Sequence, residues 1–129
     1  MPDNLDIPAT ARTPAVRFDF AKHHLKIAGE SYPEDVTEFY GPVFAALDSY
    51  LAGLGKGSCR VDFELIYLNS SSAKAVMMLM DKLEAAAAKG AAVELHWYYD
   101  KEDDTMQELG EEFGEDLENA KFHLEKMAG

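Results

Sequence analysis

The sequence holds a single cysteine, Cys59. One thiol cannot close an internal disulfide, and it cannot supply a zinc site built from paired cysteines. Basic residues are scarce: 12 Lys and Arg stand against 24 Asp and Glu, a formal net charge of −12. A field of that sign repels phosphodiester backbones and anionic lipid heads, so nucleic acid and membrane surfaces are poor partners. No apolar run approaches the ~20 residues of a membrane span. Met1 to Thr13 has no basic-then-apolar signal pattern, and a cytoplasmic location is expected. Proline is sparse and uneven, with Pro2, Pro8 and Pro14 all near the start.

What is present is a core. Apolar residues make up 47% of 129 residues, enough for one compact domain that folds without staples. Residues 1–14 are expected as an extended arm, and residues 15–129 as the domain. Val16, Phe18 and Phe20 alternate with polar neighbours, which predicts a strand. Leu25 and Ile27 mark a second, His24 to Ala28, giving a hairpin that ends at Gly29. Ser31 is expected to open a helix, with Pro33 in its first turn and Glu34 and Asp35 at its positive end. Val36, Phe39, Tyr40, Val43, Leu47, Tyr50, Leu51 and Leu54 give that helix its apolar face, and Gly41-Pro42 predicts a kink.

Cys59 to Leu68 is the strongest strand. Cys59, Val61, Phe63, Leu65 and Tyr67 share one face, while Ile66 and Leu68 make the other apolar near its end, as in a covered central strand. A helix follows to about Lys89, with Ala73, Val76, Met77, Met80, Leu83 and Ala87 expected inside and Met78 toward another face. Val93, Leu95 and Trp97 predict a strand; Asp103 or Asp104 can cap a helix carrying Met106, Leu109 and Phe113. Phe122 and Leu124 suggest a last strand. The order β-β-α-β-α-β-α-β implies right-handed crossovers and a mixed, mostly parallel sheet.

Chemistry gathers where the central strand meets its helix, at Asn69-Ser70-Ser71-Ser72. Hydroxyls at a helix start cap its free amides. An exposed serine there can also be phosphorylated, the dianion meeting free amides and the positive helix end, with Lys74 one turn on. Spacing alone leaves both readings open.

The segment Leu65 to Ser72 resembles the phosphoacceptor step of STAS domains and anti-sigma-factor antagonists. Three blocks together resemble the SiaC family of bacterial regulatory phosphoproteins: Gly29-Glu30-Ser31-Tyr32-Pro33-Glu34, Tyr67-Leu68-Asn69-Ser70-Ser71-Ser72 and His96-Trp97-Tyr98-Tyr99-Asp100. That resemblance implies a STAS-like single α/β domain that switches and does not catalyse. It implies phosphorylation by a GHKL-type kinase, reversal by a PP2C-type phosphatase, and an unphosphorylated form that activates a diguanylate cyclase, raising cyclic di-GMP and promoting biofilm. The acceptor falls on Ser70, with Ser71 as the alternative, and relatives usually carry threonine at this position. Partner contacts are expected from Asn69, Ser71, Ser72 and Lys74, and from Ser31, Tyr32, Pro33 and Glu34. The alternative is a STAS-like module that binds a ligand or scaffolds a complex without being phosphorylated.

Other patterns carry less. Ser70, His96 and Asp100 are the residue types of a hydrolase triad, but the Gly-x-Ser-x-Gly elbow is missing. His23 and His24 sit in a tight break between strands, where adjacent side chains point to opposite faces, so a solvated turn is the better reading than a shared metal. The acidic run Glu102 to Glu118 lacks a calcium-loop order. No metal and no cofactor are expected, and Cys59 reads as a buried, inert thiol.

Overall fold

The computed structural model describes residues 3–127. Six strands form one sheet in the order β1-β2-β3-β4-β5-β6, with helices in the last three connections. The strands are β1 (Leu5–Ile7), β2 (Ala15–Asp19), β3 (His24–Ser31), β4 (Ser58–Leu68), β5 (Ala92–Tyr99) and β6 (Lys121–Lys126). The helices are α1 (Val36–Leu54), α2 (Ser70–Ala88) and α3 (Asp104–Glu115). The first three strands run antiparallel, and β3 to β6 are parallel neighbours. This is the mixed, mostly parallel α/β fold expected.

One strand is additional. Leu5–Ile7, inside the segment expected as an arm, pairs with β2 through Leu5↔Phe18 and Ile7↔Val16. Three residues are too short for an alternation to register, and Pro8 ends the run; proline is tolerated beside an edge strand because no further donor is needed there.

Each parallel crossover advances one place in the same direction. Right-handed connections then put all three helices on one face. Burial agrees: Val16, Phe18, Leu25, Ile27, Val61, Phe63, Val93, Leu95 and Trp97 join helix residues in a single core. The other face is open and polar.

Two expectations about elements change. Helix α1 begins at Val36, not Ser31, with Asp35 as N-cap accepting from Glu38 N at 3.0 Å. Ser31 instead ends β3, opposite Leu68 of β4. Helix α1 runs from Val36 to Leu54 as one element through Pro42. On α2 the buried positions are Ser72, Ala75, Val76, Leu79, Met80, Leu83 and Ala87, so Leu79 is in the core and Met77 is exposed with Met78.

Helix α3 lies close to the sheet because two of its residues have no side chain. A Cβ at Gly110 would overlap the Trp97 indole and Leu124, and one at Gly114 would overlap the Phe122 ring. Trp97 Nε1 donates to Met106 O at 3.0 Å across this seam. At the far end of α2, Glu84 receives N–H groups from Glu118, Asn119 and Ala120. Partial burial raises the Glu84 carboxyl, but these hydrogen bonds prevail and hold it below its ordinary value.

Candidate functional site

The parallel pairing of β3 and β4 delivers both candidate loops to one edge. Ser31 O accepts from Asn69 N at 3.2 Å, and the Tyr32 and Tyr67 rings meet edge to face at 5.7 Å between centroids. The arm reaches the same edge: Tyr32 N donates to Arg12 O at 2.8 Å, and Arg12 pairs with Glu34 at 2.7 Å.

The serine run divides by burial. Asn69 is the N-cap, accepting from Ser72 N at 2.9 Å, and Ala73 N bonds to Asn69 O. Ser70 and Ser71 occupy the first turn, where helix geometry leaves their N–H groups without intrahelical partners. Both side chains are exposed. Ser72 is fully buried: Ser31 Oγ lies 2.9 Å from Ser72 Oγ and 2.6 Å from the Tyr40 hydroxyl. Burial pushes the Tyr40 phenol up.

Ser31 and Ser72, both expected among the partner contacts, are the two buried residues of that set. Their hydroxyls are spent inside the protein, clamping β3, α1 and α2 together. Tyr32 and Pro33 are half-buried, Asn69 likewise, while Glu34, Ser70, Ser71 and Lys74 are exposed. Ser70 lines a cleft of about 290 Å³ between α2 and α3, together with Leu68, Asn69, Glu108 and Glu112.

Four exposed apolar side chains lie close in sequence to this edge: Ile66 at 61%, Tyr67 at 49%, Met77 at 40% and Met78 at 43%. The expectation that Tyr67 faces the core fails for a definite reason. Gly29 pairs with Leu65 but Glu30 pairs with Tyr67, so Ile66 is an extra residue in β4 and the alternation changes phase there. Beyond Phe63↔Trp97, β4 also has no β5 partner. On α2, Ser70, Lys74, Met77 and Met78 follow i, i+4, i+7 and i+8, which places them on one helix face with Ser71 at its border. That Met77 and Met78 share a solvent-facing helix face with Ser70 was legible only once burial fixed the rotation of the helix.

A SiaC family profile, described as "SiaC family regulatory phosphoprotein", matches residues 7–127. The chain belongs to the SiaC family. It is 42% identical over 113 residues to an uncharacterised protein of Pseudomonas aeruginosa (strain UCBPP-PA14), covering 88% of this chain and 89% of that one. The fold is similar to that of SiaC of Pseudomonas aeruginosa, at a TM-score of 0.90 and 38% identity, covering 98% of this chain and 100% of the other. It also matches a chain in the crystal structure of the diguanylate cyclase SiaD in complex with its activator SiaC, from the same organism. There the TM-score is 0.89 and the identity 39%, with 95% and 99% of the two chains covered.

The remaining candidates of this SiaC-family chain fall elsewhere. His96 points from the open face of β5, and its carboxylate partner is Glu125, 2.6 Å from Nδ1, not Asp100. Ser70 begins a helix on the covered side, so the three triad residue types are not brought together. His23 and His24 do point apart: His23 Nδ1 meets the Tyr50 hydroxyl at 2.6 Å, and His24 Nε2 meets Asp62 at 2.6 Å. Cys59 is buried, and burial pushes its thiol up to about 11, away from reactive thiolate. Among the described residues, no helix is long and apolar enough to cross a membrane.

Proposed function

We propose that this protein is a phosphorylation-controlled interaction switch in bacterial signalling. Its unphosphorylated form binds and activates a diguanylate cyclase, so that cyclic di-GMP and biofilm formation rise when Ser70 is free. The protein acts in the cytoplasm through its partner and not by catalysis of its own. A GHKL-type kinase adds the phosphate and a PP2C-type phosphatase removes it.

One observation carries the reading. Ser70 is an exposed hydroxyl on the first turn of α2, on the same helix face as Lys74, Met77 and Met78. Unmodified, that face offers adaptable apolar contact area to a partner. A phosphate on Ser70 adds a charge of about −1.5 to −2 at its edge. The amides of the first turn and Lys74 stabilise it within the protein. Glu108 and Glu112 across the cleft add to the negative field that a docking partner meets. A loss of about 3 kcal/mol at this interface is more than a hundredfold in affinity. The exposed residues of the set, Ser71, Lys74 and Glu34, and the half-buried Asn69, Tyr32 and Pro33, form the contact surface.

The experiment is a calorimetric titration of a SiaD-type cyclase with unmodified protein, with kinase-treated protein and with Ser70→Ala. Unmodified protein and Ser70→Ala bind alike, and kinase treatment abolishes binding of the first but not of the second. Equal binding before and after phosphorylation overturns the switch. Phosphate mapped to Ser71, with Ser71→Ala alone escaping control, moves the acceptor by one residue.

A further inference from the structure

The open face of the sheet contains a buried histidine whose ring nitrogen has nothing to bond. His96 is 7% exposed, and its Nε2 is the one buried side-chain polar atom among the described residues without a hydrogen-bond partner. Unpaired polar atoms in such positions are costly and call for an explanation. The surroundings supply one. Glu94 lies two residues before His96 on β5, on the same face, and His123 is its cross-strand neighbour on β6. Ligand atoms of Glu94, His96 and His123 all lie within 4.8 Å of one another. The two imidazoles are stacked at 4.6 Å between centroids, and Glu94 Oε2 is 3.6 Å from His96 Nε2.

The other side of the His96 ring is already arranged for a ligand's role. Nδ1 lies 2.6 Å from Glu125 Oε1. In the neutral ring, donation of Nδ1–H to that carboxylate leaves the lone pair on Nε2. This is the carboxylate–histidine arrangement that fixes the tautomer and orientation of metal-bound imidazoles.

We infer that Glu94, His96 and His123 form a binding site for a borderline divalent transition metal such as zinc. Two imidazole nitrogens and one carboxylate oxygen are a ligand set zinc takes, with a water molecule completing a tetrahedron. Donor atoms in such a tetrahedron stand about 3.4 Å apart, given metal–nitrogen bonds of about 2.0–2.1 Å. Closing from 4.8 Å or less requires only side-chain rotation by Glu94 and His123, both exposed. The bound ion would fasten β6, an edge strand, to β5, and would satisfy the orphaned nitrogen. The site lies on the open face, whereas Ser70 begins a helix on the covered one, so it does not depend on the proposed switch.

The test uses the full chain with Zn2+ alone and with Co2+ as a coloured substitute. The wild type binds one equivalent, Co2+ develops the visible bands of tetrahedral coordination, and the melting temperature rises with Zn2+. His123→Ala weakens binding at least tenfold. Glu125→Gln, which alters only the supporting carboxylate, weakens it by about 10- to 100-fold. His96 is buried and is left unmutated, so the third arm is nuclear magnetic resonance of the wild type. Zn2+ shifts the ring signals of His96 and His123 and leaves those of His23 and His24 in place. Absence of saturable binding overturns the site, as does binding that survives His123→Ala unchanged or that shifts the rings of His23 and His24 instead.

Discussion

The two faces of the sheet are built on opposite rules. The covered face is a continuous apolar core in which Trp97, Phe18, Phe63 and Leu25 are almost wholly buried beneath the helices. The open face is a polar lattice: Lys26 pairs with Glu64, Asp62 accepts from both Arg60 and His24, and Arg60 reaches the Tyr98 hydroxyl at 2.9 Å. Parallel strands are ordinarily covered on both sides. Here β3 to β6 leave one side to water by alternating cross-strand charges with hydroxyl and imidazole groups. Shape therefore governs stability on one face, and charge pairing satisfies groups on the other without contributing much free energy. Asp62 and His96 are the exceptions on the open face, each buried among polar neighbours.

That contrast can be broken most sharply at the α3 seam. Gly110→Ala forces a methyl group into the Trp97 ring and is expected to destabilise the protein by about 2–3 kcal/mol in urea unfolding. Gly53→Ala on α1, where nothing beyond the helix's own neighbouring residues lies within 4 Å of the new methyl, is the control and should gain about 0.5–1 kcal/mol from helix propensity. An intermediate effect is expected where polar groups enter the covered side. Ser31→Ala leaves the Tyr40 and Ser72 hydroxyls without their shared partner and should cost about 1–2 kcal/mol, read by the same unfolding curves. The smallest change belongs to the open face: Lys26→Ala removes an ion pair whose side chains are 41% and 31% exposed, and stability should move by no more than about 0.5 kcal/mol. A larger loss there would show that the open lattice holds the fold together as the core does.

Much of the covered face was legible in the sequence, because a strand period of two and a helix period near 3.6 are set by the core they line. Val16, Phe18, Leu25, Ile27, Val61, Phe63, Trp97, Met106 and Phe113 all sit where their spacing predicts. The misreadings have local physical causes. Ser31 resembles a helix cap, yet Asp35 offers a carboxylate at a better position and Ser31 is drawn into the sheet by Leu68. Met77 and Leu79 exchange roles because neighbouring apolar residues on a helix give two nearly equal faces, and the tie is settled by packing. The cluster of Glu94, His96 and His123 could not be read in full, since His123 joins the other two only through the β5–β6 register. The same holds for the division of the serine run: three identical side chains differ only in which way the helix turns them.

The extra residue in β4 separates two matters that usually constrain each other. Ile66 has no partner in β3, while Leu65 before it and Tyr67 after it keep theirs. It is a spare link: the chain on either side holds its alignment, and the bond from Asn69 to Ser31 O lies wholly downstream. The residue at that link can change in size, polarity or charge, and the seam that sets the Ser31, Tyr40 and Ser72 hydroxyls in place will not register it. The exposed surface that Ile66 shares with Asp100, Asp103 and Met127 is thus free to be re-lettered while the frame that holds the start of α2 stays as it is.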